Sequence, residues 1–141
     1  MTVVEHQMLM YNNVLSYRTE IEFHTIPKMI VAIENNISVL GLNVTDNVLL
    51  SLSNKEIEFI IPVDGIYESN QHFEFKQRFR LVNAVRARHY GSFTDIHSSL
   101  NELHSFIKEN SLTSITNPYI RVRDTEQGVY DIYIGVSENE L

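Results

Sequence analysis

From Thr19 to His24 polar and apolar side chains alternate, with Ile21 and Phe23 on one face and Glu20 and Glu22 on the other, the period of a half-buried strand over residues 17–24. Thr25-Ile26-Pro27 then marks a helix start, because proline has a preset φ and no N–H to leave unpaired in the first turn. Ile30, Ile33, Ile37 and Leu40 follow at spacings of three and four, and Gly41 suits a left-handed C-cap, so the spacing predicts a first helix over residues 27–40. Residues 48–52 and 56–63 flank the polar turn Ser53-Asn54-Lys55 and predict a β-hairpin. Phe73, Phe75 and Phe79 alternate with charged residues in another half-buried strand, which continues extended from Asn83 to Tyr90 after a phase slip at Leu81-Val82. One bent strand and two separate strands both fit residues 72–90. Ile96, Leu100, Leu103 and Ile107 mark a second helix over residues 93–109, with Ser92 or Thr94 available as its cap. Residues 119–123 and 129–136 predict a last hairpin, and the polar tail 137–141 is expected to fray.

The order repeats. His24-Thr25-Ile26-Pro27 leads into the first helix and a hairpin ending in Glu58-Phe59-Ile60-Ile61-Pro62-Val63; His89-Tyr90-Gly91-Ser92 leads into the second helix and a hairpin ending in Asp131-Ile132-Tyr133-Ile134-Gly135-Val136. The expected fold is α+β: two pseudo-symmetric β-α-β-β halves forming an antiparallel sheet with two main helices, each half covering the apolar face that the other exposes. Ile30, Ile33, Ile37, Leu100, Leu103 and Ile107 are the expected helix contribution to the core, and a cleft between the helices is the natural recognition site.

Composition narrows the function. One domain of 141 residues, with 43% hydrophobic and 14 Phe and Tyr residues, can bury a core of its own. A formal charge of −7, from 18 acidic against 11 basic residues, repels a phosphate backbone and argues against nucleic-acid binding. No cysteine is present, which removes disulfides, thiolate metal sites and cysteine nucleophiles. The N-terminus reads as no signal peptide, and the apolar run from Ile57 to Val63 is too short to span a bilayer, so a soluble cytoplasmic protein is expected.

Candidate chemistry is sparse. His97 and His104 are seven apart on the second helix, whereas a helical metal pair needs a spacing of three or four, so no metal is expected. A Gly-x-Ser-x-Gly elbow, a Gly-x-Gly-x-x-Gly loop and a phosphate-binding loop are all missing, and no catalytic set or cofactor is expected. Glu58, alternating with Ile57 and Phe59, and Asp131 and Tyr133 in the last strand leave the sheet opposite its apolar face. With Tyr119 they would line an acidic, aromatic surface suited to cations, or else an ordinary solvated face. Tyr90 and Phe93, at the strand-to-helix corner, are either packing residues or ligand contacts.

Phe23-His24-Thr25-Ile26-Pro27, Ile57 to Val63, Arg88-His89-Tyr90-Gly91-Ser92-Phe93 and Asp131 to Val136 together resemble the gyrase-inhibitor-like, AraC-effector-binding superfamily over about residues 14–136. The corner around Gly91 is similar to the family's Tyr-x-Gly-x-Tyr motif without matching it fully. Gly135 stands where the family carries proline, and Asp131 stands at an acidic position where glutamate is usual. Many such relatives bind lipophilic or cationic small molecules in a cleft, and transcription-factor relatives add a helix-turn-helix segment for which these residues leave no room. More narrowly, the chain resembles a stand-alone subfamily associated with type VII secretion, including a cytoplasmic chaperone for a secreted nuclease toxin. That resemblance implies a non-catalytic chaperone or adaptor whose partner is a secreted protein substrate or a secretion component. The alternative is a receptor for a lipophilic or cationic ligand. Either partner would meet a cleft lined by Glu58, Tyr90, Phe93, Tyr119, Asp131 and Tyr133.

Overall fold

The computed structural model describes residues 2–53 and 55–138; Asn54 of the predicted turn and the last three residues of the tail lie outside that range. It is an α+β fold with two helices and seven antiparallel strands. The first half runs β1 (Val3–Thr19), a 3-10 turn (Phe23–Thr25), α1 (Ile26–Val39), β2 (Leu49–Leu52) and β3 (Ile57–Pro62). The second runs β4 (Glu74–Tyr90), a 3-10 turn (Phe93–Asp95), α2 (Ile96–Glu109), β5 (Leu112–Ser114), β6 (Tyr119–Asp124) and β7 (Val129–Glu138).

Both helices form close to where the apolar spacing places them, but Leu40 lies past the end of α1 and is exposed, with Ile26 completing the buried stripe, and residues 93–95 are a 3-10 turn ahead of α2. Ile30, Ile33 and Ile37 of α1 and Leu100, Leu103 and Ile107 of α2 are each no more than 6% exposed. Gly41 has φ +82° beyond the end of α1, the left-handed geometry that glycine accepts without a Cβ clash. Ser92 accepts a hydrogen bond from the Thr94 N–H, but this caps the 3-10 turn and not α2 itself.

The structure changes two strand expectations, at β1 and β5, and decides between the two readings of residues 72–90. The strand expected over residues 17–24 lies earlier and ends at Thr19, while Phe23 and His24 belong to a 3-10 turn. Most of β1 has no clean alternation because it is irregular: its register against β4 shifts between Val4 and Leu9, and His6 and Asn13 adopt φ +56°. Residues 74–90 form one strand, with Leu81 and Ala84 both turned into the same cluster across the predicted phase slip. The short β5, pairing with the end of β7, has no alternation long enough to read.

The strand order β4-β1-β3-β2-β6-β7-β5 carries one further pairing, β4 with β7. Six strands therefore return on themselves in a ring, with the two halves joined by β2 to β6 (Leu49↔Arg121, Leu50↔Ile120, Ser51↔Tyr119) and by β1 to β4. Closure gives the sheet two faces with different coverings. The outer face carries α1 and α2 over a large core that includes Leu15, Leu50, Phe59, Ile61, Ile120 and Ile132. The inner face has its own cluster, drawn from all six strands: Leu9, Tyr11 and Val14 from β1, Leu81 and Ala84 from β4, with Leu49, Ile60, Tyr119 and Tyr133. Alternation along each strand sorts the residues between the two.

Candidate functional site

Residues paired directly across antiparallel strands point to one face, so the register places the candidate side chains. One row runs Arg86↔Tyr133↔Tyr119↔Ser51↔Glu58↔Arg18 around the inner face. The next row runs Arg88↔Asp131↔Arg121. Glu58, Tyr119, Asp131 and Tyr133 therefore do share a face, opposite the helices. Phe93 does not join them, being 3% exposed in the outer core, while Tyr90 lies at the rim, 71% exposed.

The inner face is cationic, not acidic, because alternation in β4 and β6 places Arg86, Arg88, Arg121 and Arg123 beside the expected carboxylates. Asp131 is 1% exposed; Arg88 grips it through Nε at 2.7 Å and Nη2 at 3.2 Å, with the Arg123 Nε at 3.8 Å. A buried carboxylate is tolerated only when paired in this way, and this one is not free to meet a ligand cation. Glu58 accepts a short hydrogen bond from the Ser16 hydroxyl and another from Arg18 Nη2 at 3.3 Å. Burial, and then the Glu58 charge, push the Tyr119 phenol up. Burial opposes ionisation of Asp46, but the hydrogen bonds from Arg121, at 2.9 Å, and from the Asn47 N–H outweigh it and hold the carboxyl below its ordinary value.

The expected cleft between the helices is occupied by rings at their N-terminal ends. Phe93 meets Phe23 edge-on at 5.1 Å and Tyr130 at 5.3 Å, and His97 stacks on Phe23 at 5.4 Å. His89 closes this corner from beneath: Nε2–H donates to the Ser92 carbonyl at 2.9 Å, and Nδ1 meets the Ser99 hydroxyl at 2.6 Å. What remains open there is a cleft of about 410 Å³ beside the 125–128 turn, bordered by Phe23, Pro27 and Thr94.

A second cleft, of about 400 Å³, lies on the other flank of α1, between that helix and the 64–73 connection. Its walls are Tyr17, Met29, Ile33, Tyr67 and Phe73, and Val39 at its mouth is 86% exposed. Asn70 builds the loop side: its Oδ1 accepts from the His72 and Phe73 N–H groups at 2.7 and 2.8 Å, its own N–H donates to the Phe73 carbonyl, and its Nδ2 donates to the Tyr67 hydroxyl at 2.7 Å. Tyr67 is thereby held upright against the cleft. None of these residues stands out as a site in sequence; the one signal is that Ile66 and Tyr67 interrupt the polar run between Asp64 and His72. Among the described residues no group of three or more His, Cys, Asp or Glu is arranged to hold a metal, and no helix is long and apolar enough to cross a membrane.

No protein-family model matches the chain, and no curated protein matches it in sequence. Solved structures do. The chain is similar to EcmrR in a DNA complex (TM-score 0.76, 17% identity, 94% of this chain and 58% of that one). It is also similar to the isolated C-terminal domain of EcmrR (TM-score 0.72, 16% identity, 94% and 98%) and to a hydrolase from Listeria innocua (TM-score 0.62, 13% identity, 96% and 90%). The chain thus spans 58% of the EcmrR chain and nearly all of its C-terminal domain. At these identities the likeness is one of fold alone.

Proposed function

We propose that this chain is a non-catalytic binding domain for a lipophilic small molecule, held in the cleft between α1 and the 64–73 connection. One observation carries the reading: a cleft of about 400 Å³ walled by aromatic and aliphatic side chains, with Asn36, Asn70 and His72 as its polar contacts. Specific ligand sites have this makeup, mostly apolar with a few placed polar groups, and a volume in this range. The faces of Tyr17, Tyr67 and Phe73 suit an aromatic or a singly positive ligand, since ring quadrupoles attract cations without a buried carboxylate. Sharing a fold with the C-terminal domain of EcmrR is compatible with such a role and does not select the ligand.

Thermal melts against a panel of lipophilic cations and neutral aromatic molecules test it. A ligand of the cleft should raise the melting temperature saturably, by the equivalent of about 2.7 kcal/mol at a free concentration of 100 Kd. Ala32→Trp, at an exposed position lining the cleft, should abolish that response and leave the ligand-free melt within about 0.5 kcal/mol. A response that survives Ala32→Trp would overturn the assignment.

A protein-binding reading, the cytoplasmic chaperone or adaptor for a type VII secretion substrate, is favoured by a different observation. Met8, Met10 and Val82 form an apolar strip on the β1–β4 ribbon, each at least 49% exposed. Side chains of a client could cover that strip. Strand addition beside it is discouraged by the irregular β1 and by Lys76, Arg78 and Arg80 along β4. The secretion client itself is supported by the sequence resemblance alone.

A further inference from the structure

The inner face of the ring holds a second arrangement that the lipophilic cleft does not use. Arg86 and Arg88 on β4 and Arg121 and Arg123 on β6 flank β7, which lies between those strands. Two carboxylates, Asp131 and Asp46, answer these four guanidiniums, leaving an excess of two positive charges on one patch of a chain whose net charge is −7. The pairing is also uneven. Asp131 takes Arg88 through two nitrogens and Arg123 only at 3.8 Å, while Asp46 takes Arg121 at 2.9 Å. Arg86, half-buried and paired in register with Tyr133, has no hydrogen-bond or ion-pair partner among the described residues.

Asp131 cannot bind a cation while two guanidiniums hold it, but it can fix those guanidiniums in place. Arg88 and Arg123 converge on one carboxylate, and 38% of each side chain remains open to solvent. A guanidinium carries five N–H donors in a planar fork, so Asp131 leaves most of them to another acceptor. A half-buried guanidinium without a counter-charge, as at Arg86, is stabilised by an incoming anion. We propose that Arg86, Arg88 and Arg123 form a binding site for an oxyanion group, phosphoryl or carboxylate, of a small molecule, with the exposed ring of Tyr90 as its flanking contact. The site lies on the opposite face of the sheet from the α1 cleft and stands independently of it.

Titration of uniformly 15N-labelled protein with sodium phosphate and, separately, sodium citrate, at ionic strength held constant with sodium chloride, tests the proposal. The arginine Nε–H signals of Arg86, Arg88 and Arg123 should shift saturably with at least one of the two anions. Arg86→Gln and Arg123→Gln should each raise its Kd about tenfold or more, and Arg78→Gln, on the far half of β4, should leave it unchanged. Tighter phosphate binding assigns a phosphoryl ligand and tighter citrate binding a carboxylate. Shifts that sodium chloride alone reproduces, or equal weakening by Arg78→Gln, would show condensation of anions on any arginine and overturn the site.

Discussion

The Tyr11 hydroxyl, inside the ring, donates to the Asn47 carbonyl at 3.1 Å, and its ring lies 5.8 Å from the Arg121 guanidinium carbon. Burial pushes its pKa up from 10.0 to about 12, with the Arg121 charge opposing. A folded value above the unfolded one means that the contribution to stability is complete below the unfolded pKa and is lost as pH rises from 10.0 towards about 12. The urea midpoint of the native chain should therefore drop between about pH 10 and about pH 12, and Tyr11→Phe should drop less across that interval. At neutral pH the same variant should be weaker by about 1 kcal/mol, the worth of the lost hydrogen bond. Identical alkaline slopes for both proteins would show that Tyr11 is not the responding group. The alternation that puts Asp131 and Tyr133 on one face is legible in β7 alone, whereas the arginines that neutralise Asp131 come from β4 and β6, 43 residues earlier and 8 residues earlier in the chain.

Among the elements, α1 and α2 were legible because four isoleucine or leucine contacts at helical spacing define each buried stripe, and a stripe is a local property. The strand β1 was not, because two bulge-like irregularities and the left-handed Asn13 break the period of two on which strand reading depends. Gly135 illustrates the same limit. Its N–H donates to Thr116 Oγ1 at 2.9 Å, a tertiary bond that proline could not make and that no local spacing reveals. The turn between β6 and β7 rests on Gly128, at φ +70°, where a Cβ would run into the Gly91 carbonyl while the Gly91 N–H donates to Gly128 O at 2.8 Å. Gly128→Ala should cost about 1–3 kcal/mol in chemical unfolding, from the unfavourable φ and the displaced contact. A cost near zero would mean that the β6–β7 turn and the corner at Gly91 are not tied together.

For the whole molecule, ring closure makes the outer and inner clusters two sides of the same strands. Leu49 on the inner side and Leu50 on the outer side are both fully buried neighbours in β2. Loosening either cluster must therefore loosen the other. Leu49→Ala, inside the ring, and Leu103→Ala, beneath α2, should each destabilise by about 2–5 kcal/mol and shift one shared transition. Two separable transitions in either variant would show that the helix layer and the ring fold independently.

Local pattern determined the two helices, the duplicated order of elements and the sorting of side chains between two sheet faces, since each depends on spacings within one segment. Ring closure, the filling of the inter-helix seam by Phe23, Phe93, His97 and Tyr130, the open cleft beside α1 and the cationic character of the inner face depended on which distant segments meet. A carboxylate such as Asp131 reads as a cation site in isolation and as the anchor of an arginine cluster once β4 and β6 flank it, because charge acts through space and the chain alone does not say which charges are near.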